Sequence, residues 1–455
     1  MQSELKYDVA VIGGGPAGVV AAIASARNGA KTILIEQNGY LGGMLTMAGT
    51  GPMMTFHAGN KQVVFGIANE IVDRLKLQGF SIGHMKDAVG YCGSTTPFDV
   101  EGMKLTLESM ARESGVTLLY HTMFIDCKTE NGKIKSARLF SKGGFINLEA
   151  DVFVDASADA DLATSAGITS VYGRESDNLA QPMTMNCRVY GVDRDKLADY
   201  VSTHTEDMYE FTPKDLKDYP RFGISGAYSL IIKGKDSGDF SVDRDTVLCF
   251  ETNNKGEFII NMTRITKRSA VDPFDLTEAE IQGRQQAHET VSFLKKYIPG
   301  FENCVMMSTG PHIGIRESRK IDGIYKLTGD DLVKNVMFDD AVAMGGYPID
   351  IHSPDGASMC NKFLKENTWY SIPYRCLITK EMRNLIVTGR CLSATHEACA
   401  AVRVTPILMA ISQGAGTAAA LAVSSKSDVA HLDVSQLRET LKNDGVFLEE
   451  YNSEI

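Results

Sequence analysis

Residues 7 to 18, YDVAVIGGGPAG, constrain the fold more than any other stretch of the chain. The apolar run Val9, Ala10, Val11, Ile12 is too short for a helix and stops at three glycines, so it reads as a buried parallel strand. A segment rich in helix formers follows from 17 to 26 and breaks at Asn28 and Gly29, where a helix ends. Gly13, Gly15 and Gly18 stand at G-x-G-x-x-G spacing around the turn between strand and helix. The first allows a sharp turn out of the strand, the second lets backbone approach a pyrophosphate, and the third lets the helix pack closely on the sheet. N–H groups at the start of that helix then hold the negative charge.

Three glycines alone are weak evidence, and context decides their meaning. A second strand is expected over 31–35, ending at Glu36, about 20 residues beyond the glycines, where a carboxylate accepts the hydroxyls of an adenosine ribose. A solvated strand-end charge is the plain alternative. Because a carboxylate there repels a 2′-phosphate, the expected nucleotide is FAD or NAD rather than NADP.

With 455 residues and 44% apolar content, the chain is long enough for two intertwined domains. A net charge of −11 without clustered Lys and Arg argues against a nucleic-acid face. The alanine- and glycine-rich stretch 404–424 is interrupted by Ser412, Gln413 and glycines, so it is expected as a buried helix and not a membrane span. MQSELK runs straight into the first strand, so no signal peptide and a cytoplasmic location are expected. The nine cysteines are scattered, with no C-x-x-C pair, which leaves an iron–sulfur cluster, a zinc ribbon and a redox dithiol without their usual ligands. No metal site is expected, and Cys391 and Cys399 read as small buried hydrophobes.

Periodicity organises the remainder. An amphipathic helix is expected over 101–113, a strand over 115–120, and a small antiparallel sheet over 124–150 with turns at Asn131–Gly132 and Gly143–Gly144. Residues 171–305 alternate in a different texture, with a hairpin at 253–256 and a long helix over 277–297 capped by Thr277, with Glu280 three residues on. A strand over 384–388 returns to the first pattern, and Thr405 as N-cap with Pro406 first in the helix opens the buried segment. The expected class is α/β: a Rossmann-like nucleotide-binding domain with a parallel sheet (1–170 and 306–424), an inserted α+β cap domain (171–305) and a C-terminal tail helix (425–455).

In order along the chain, VIGGGPAG, LIEQNGYLGGMLT, FGIANEIVDRL, VDASADADLATSAG, GIRESRKIDGIYKLTGDD, YSIPYRCLI and NLIVTGRCLSATHEACAAVRVTPILMAISQGAGTAAA resemble the FAD-dependent oxidoreductase family. That family lies in the two-domain flavoprotein superfamily with fumarate reductase and glutathione reductase. The resemblance implies FAD, with Gly13, Gly15, Pro16, Ala17 and Gly18 at its pyrophosphate and Glu36 and Gln37 at the adenosine ribose. It also implies Gly42, Gly43 and Met44 in the loop over the phosphates, and Ala156 and Ser157 along the adenosine side. Gly389 and Arg390 would lie by the pyrophosphate and ribityl chain, and Thr405 and Pro406 would point at the flavin pyrimidine ring. Arg390 stands where the superfamily often has Asp, which puts the usual ribityl contact in question.

Chemistry at a flavin also needs a group that moves a proton. His396 and Glu397 in SATHEA are best placed, and His352 in YPIDIHSP is second, with Asp350 able to orient it. Arg316 and Arg319 in GIRESR can clamp a carboxylate or polarise a carbonyl; ion pairs with Glu317, Asp322 or Asp330 are the structural alternative. The expected activity is hydride transfer between the flavin and a small polar organic molecule. Two other readings stay open: an FAD-containing electron-transfer subunit, against which the missing cysteine cluster counts, and a non-redox FAD-binding scaffold. A single dinucleotide fingerprint makes a second Rossmann domain for NADPH unexpected, while the electron acceptor and homo-oligomerisation stay open.

Overall fold

The computed structural model describes residues 3–356 and 359–450. Its first strand, β1 (Ser3–Ile12), lies between two parallel neighbours, which is why Val9, Ala10 and Val11 are fully buried. The helix α1 (Pro16–Arg27) follows at once and is buried nearly all round, so its apolar residues show no single stripe. β2 (Thr32–Ile35) pairs parallel with β1. An amphipathic helix, α2 (Val100–Glu113), capped by Asp99 accepting from the Gly102 N–H, leads into β3 (Thr117–Leu119) on the outer edge of β2. A meander of β4 (Thr122–Glu130), β5 (Lys133–Ser141) and β6 (Gly144–Asp155) comes next. Asn131 and Gly132 turn it with φ of 50° and 69°, the two left-handed residues that a tight hairpin requires.

The middle of the chain builds a separate antiparallel sheet from β7 (Cys187–Tyr190), β8 (Gly223–Gly226), β9 (Val247–Glu251), β10 (Glu257–Ile260) and, after the long helix α3 (Pro273–Tyr297), β11 (Val305–Thr309). The spatial order is β8-β9-β10-β7-β11. Val189, Ile224, Cys249, Phe258 and Phe293 share one apolar core here. α3 starts four residues before the expected 277. Asp272 caps it by accepting from the N–H groups of Phe274 and Asp275, and Pro273 is pre-set for the first turn. Thr277 therefore sits inside the helix, its hydroxyl donating to the Pro273 carbonyl.

The chain then returns. It contributes β12 (Ile349–His352) and, beyond two further short strands, β13 (Leu385–Val387), which pairs parallel with the second half of β6, past the stretch occupied by β5. Hence β6 carries an antiparallel partner on its first half and a parallel one on its second, completing the sheet β3-β2-β1-β6. Two helices end this part, α4 (His396–Val402) and α5 (Thr405–Ser425). Val404, not Thr405, is the N-cap of α5; Thr405 and Pro406 are its first two residues, and no side chain caps the end. Among the described residues α5 alone is long and apolar enough to cross a membrane, yet 83% of its most apolar window is buried. It packs on α1 so closely that a Cβ on Gly416 would lie 2.1 Å from the Ala21 carbonyl oxygen. A last helix, α6 (Val434–Asn443), lies in the tail. All nine cysteines are free; Cys391 and Cys399 are buried, and burial raises both thiol pKa values.

Candidate functional site

The turn after β1 has the geometry of a dinucleotide seat. Gly13 has φ +103°, and a Cβ there would lie 2.4 Å from the Ala156 carbonyl oxygen. A Cβ on Gly18 would lie 1.8 Å from the Gly13 oxygen, so the helix and strand meet backbone to backbone. Gly15 is different: its nearest neighbour for a Cβ is the Gly43 Cα at 4.0 Å, so it borders open space. Gly15 is also the N-cap of α1 and offers no side chain to its first N–H groups, while Pro16 and Ala17 form the first turn. Those donors are free for an anion.

Other residues singled out from the sequence gather around this turn. The Gly42 N–H donates to the Gly14 carbonyl at 2.9 Å, and Gly43 approaches Gly15, which lays the Gly42, Gly43, Met44 loop across the turn. Glu36 is buried at the end of β2: Oε2 accepts from the Gly14 N–H at 2.7 Å and Oε1 from the Asn38 N–H at 2.7 Å. Oε1 also accepts from Asn38 Nδ2 at 2.6 Å, so Oε2 is the oxygen that keeps a second lone pair for a ribose hydroxyl, and Gln37 beside it is exposed. Asp155 ends β6 and accepts from the Ser157 hydroxyl and the Ala163 N–H, which holds Ala156 over Gly13. Gly389, with φ +86°, faces Ala17. The set fits the FAD that the sequence implies, by open backbone donors at α1, a second uncapped start at α5, and a buried carboxylate at β2.

Arg390 is matched inside the protein. Its Nη2 lies 2.6 Å from the Asp159 carboxylate and its Nη1 donates to the Ile315 carbonyl at 3.1 Å. Arg319 likewise pairs with Asp161, and Glu397 pairs with Lys362 at 2.9 Å, both of them partly exposed. These three have structural partners.

Arg316 does not pair with Glu317, Asp322 or Asp330. It donates to the Pro182 carbonyl and the Thr184 hydroxyl instead, both neutral. Burial and the guanidiniums of Arg403, Arg244 and Arg264 hold its pKa well below the arginine range, opposed by Asp350. Four arginines thus converge on one buried carboxylate. Asp350 and His352 lie two apart on β12 and share a face, with His352 Nε2 at 3.3 Å from Asp350 Oδ2. Arg403 reaches the same oxygen at 3.5 Å, and the Tyr347 hydroxyl donates to it at 3.4 Å. Burial and the Arg316 charge lower the His352 pKa to about 3, while His352 and Arg403 lower that of Asp350 despite its burial. Arg244, Arg264 and Arg403, like Gln181, escaped sequence reasoning.

His396 opens α4 and touches Glu317, with Nδ1 2.7 Å from Oε2. Glu317 is fully buried and also pairs with Lys320 and accepts from the Gln181 N–H. The Gln181 side-chain oxygen in turn meets the His352 N–H at 3.5 Å. So the structure brings His396, His352 and Arg316 into one connected region through Gln181.

A family model described as FAD dependent oxidoreductase matches residues 8–441. A thiamine thiazole synthase of Aeropyrum pernix is 30% identical over 134 residues, 30% of this chain and 44% of the relative. A digeranylgeranylglycerophospholipid reductase of Methanothrix thermoacetophila is 29% identical over 171 residues, 36% of this chain and 42% of the relative. The chain therefore spans less than half the length of these relatives. Among solved structures, a geranylgeranyl bacteriochlorophyll reductase-like protein from Thermoplasma acidophilum aligns with TM-score 0.50 at 14% identity, over 97% of this chain and 84% of the other. A p-nitrophenol 4-monooxygenase from Pseudomonas putida also gives 0.50, at 9% identity over 99% and 91%. At such identities the likeness is one of fold.

Proposed function

The chain belongs to the FAD-dependent oxidoreductase family, and on that premise we propose that it moves a hydride between its flavin and a small polar organic substrate. FAD supplies, when bound, the two-electron carrier. Gly13, Gly15, Gly18, Pro16 and Ala17 seat the diphosphate, the Gly42 to Met44 loop covers it, and Glu36 with Gln37 holds the ribose. Ala156 and Ser157 line the adenosine side, Gly389 and Arg390 flank the ribityl chain, and Thr405 and Pro406 bring the open start of α5 to the pyrimidine ring.

The observation that supports the catalytic assignment is the His352–Asp350 pair. Asp350 faces Nε2, so that nitrogen carries the hydrogen in the neutral ring, and Nδ1 is left as acceptor. His352 Nδ1 has no hydrogen-bond partner among the described residues. It takes the substrate proton as hydride departs, or returns it in the reverse direction, in a complex where bound substrate offsets the Arg316 charge that lowers its basicity. Arg316 orients the substrate, and His396 acts as a positioning residue through Glu317 and Gln181.

The test compares His352→Ala and His396→Ala in rapid-mixing flavin reduction, with a substrate found by anaerobic metabolite screening. Loss of a single acid–base group slows reduction by roughly 10²–10⁴-fold. The expected result is that loss for His352→Ala with FAD content kept, and a smaller loss for His396→Ala. The assignment fails if His352→Ala reduces at the parent rate.

A further inference from the structure

Arg244 lies on the loop before β9 and is only 4% exposed, yet its guanidinium makes no side-chain hydrogen bond or ion pair among the described residues, and its Nε is an orphan. An arginine in that state is costly to bury. It is not isolated from charge, because Arg264, Arg316 and Asp350 all act on it. Arg403 Nε, Asp350 Oδ1, His352 Nδ1 and Gln181 Nε2 are buried without partners in the same region. Three unmatched donors, Arg244 Nε, Arg403 Nε and Gln181 Nε2, beside two unmatched acceptors, Asp350 Oδ1 and His352 Nδ1, describe a site built for a ligand that completes them.

The charge balance says which kind. Among the described residues Asp350 is the buried carboxylate that acts on these arginines, and it is already shared by His352 and Arg403. Asp243 and Asp245, which also act on Arg244, are exposed to solvent. Positive charge is in excess inside. Aromatic rings adjoin the site through Tyr347, whose hydroxyl donates to Asp350: Tyr91 lies 5.8 Å from Tyr347 and 5.4 Å from Phe363, and Phe211 lies 6.0 Å from Phe363 between ring centroids. Phe211 and Phe363 are half exposed, at 50% and 45%. Such half-exposed rings suit an organic body behind the charged group.

We propose that Arg244, Arg316 and Arg403 bind a carboxylate of the substrate and present its organic part to His352. The proposal rests on the oxidoreductase reading and names the substrate class of that site. Planar guanidinium forks match the two oxygens of a carboxylate, and the arriving anion relieves the mutual repulsion of the three cations.

The experiment follows thermal unfolding of the FAD-loaded protein at constant ionic strength with malonate, neutral malonamide and inorganic phosphate. Malonate is expected to raise the midpoint saturably, malonamide to leave it unchanged, and both Arg244→Met and Arg403→Gln to weaken the malonate effect at least tenfold in concentration, the factor that corresponds to about 1.4 kcal/mol. FAD content and dithionite reduction are measured on the same samples. A reducible flavin with no saturable malonate effect, or an effect unchanged in both variants, overturns the carboxylate site and leaves the oxidoreductase reading intact. Saturation by phosphate and not malonate also overturns it, in favour of a phosphate ester. A protein without reducible flavin overturns the oxidoreductase reading itself.

Discussion

Alanine placed at Gly15 and at Gly18 should have opposite effects, although the residues are three apart in one motif. Gly15 has φ −67° and ψ −179°, which any residue adopts, and a Cβ there meets nothing closer than 4.0 Å. Losing glycine at an N-cap costs up to about 1 kcal/mol, offset by about 0.4–1 kcal/mol from the stiffer unfolded chain. The fold is left nearly as stable, but the methyl group enters the space where a diphosphate approaches the α1 N–H groups. One hydrogen bond to a charged group contributes about 1.5–3 kcal/mol, so Kd for FAD rises by roughly 10- to 150-fold. At Gly18 the added Cβ lies 1.8 Å from a carbonyl oxygen and 3.1 Å from the Ala156 Cβ. Neither strand nor helix can yield cheaply, and overpacking costs about 1–3 kcal/mol or more. Urea unfolding of the two apoproteins, with FAD titrations followed by fluorescence quenching, separates the effects. Unchanged FAD affinity in Gly15→Ala, or unchanged stability in Gly18→Ala, refutes the reasoning.

Two further outcomes follow from buried charge. Burial lowers the pKa of His84 to about 4 and that of His352 to about 3; both are neutral when folded and take up a proton on unfolding below about pH 6.5. Stability is therefore complete above that pH and is lost as pH falls toward 4; His84→Gln should reduce the drop between about pH 6.5 and 5 by up to about 2 kcal/mol, read as urea midpoints, and an undiminished drop counts against it. Glu317→Gln leaves Lys320, 1% exposed, without its carboxylate and removes the partner of His396; unfolding free energy should fall by about 3–5 kcal/mol, and a parent-like urea curve contradicts this.

What the sequence disclosed was local. The β1 turn, the Asn131–Gly132 hairpin and the buried character of α5 rest on spacing within a few residues, and each appears where the pattern placed it. The cap residues of α3 and α5 were displaced because neighbouring residues satisfy the same rule: Asp272 before Pro273 outcompetes Thr277, and Val404 takes the extended conformation before Thr405. The arginine cluster was hidden for another reason. Arg244, Arg264, Arg316 and Arg403 come from four separate segments, so no spacing joins them. Arg403 alone left a trace, as a single charge in the apolar run ACAAVRVTPIL. His396 was favoured for lying close to Arg390 in sequence, but only the fold reveals that Glu317 turns to Lys320 and His396 instead of to either arginine beside it.

The divided partnership of β6 sets a schedule for synthesis. Its far half waits for β13, and the Asn384 side chain that locks this junction reaches Asp151 across 233 positions. Until the ribosome has released that segment, β6 presents an open edge, and α1 lacks the helix that covers it. The nascent first part thus stays a candidate for wrong strand pairing for most of translation, and chaperone contact should concentrate there. Fragments ending before 385 should accumulate as aggregates, whereas the released full chain can close the sheet and take up its nucleotide in one late step.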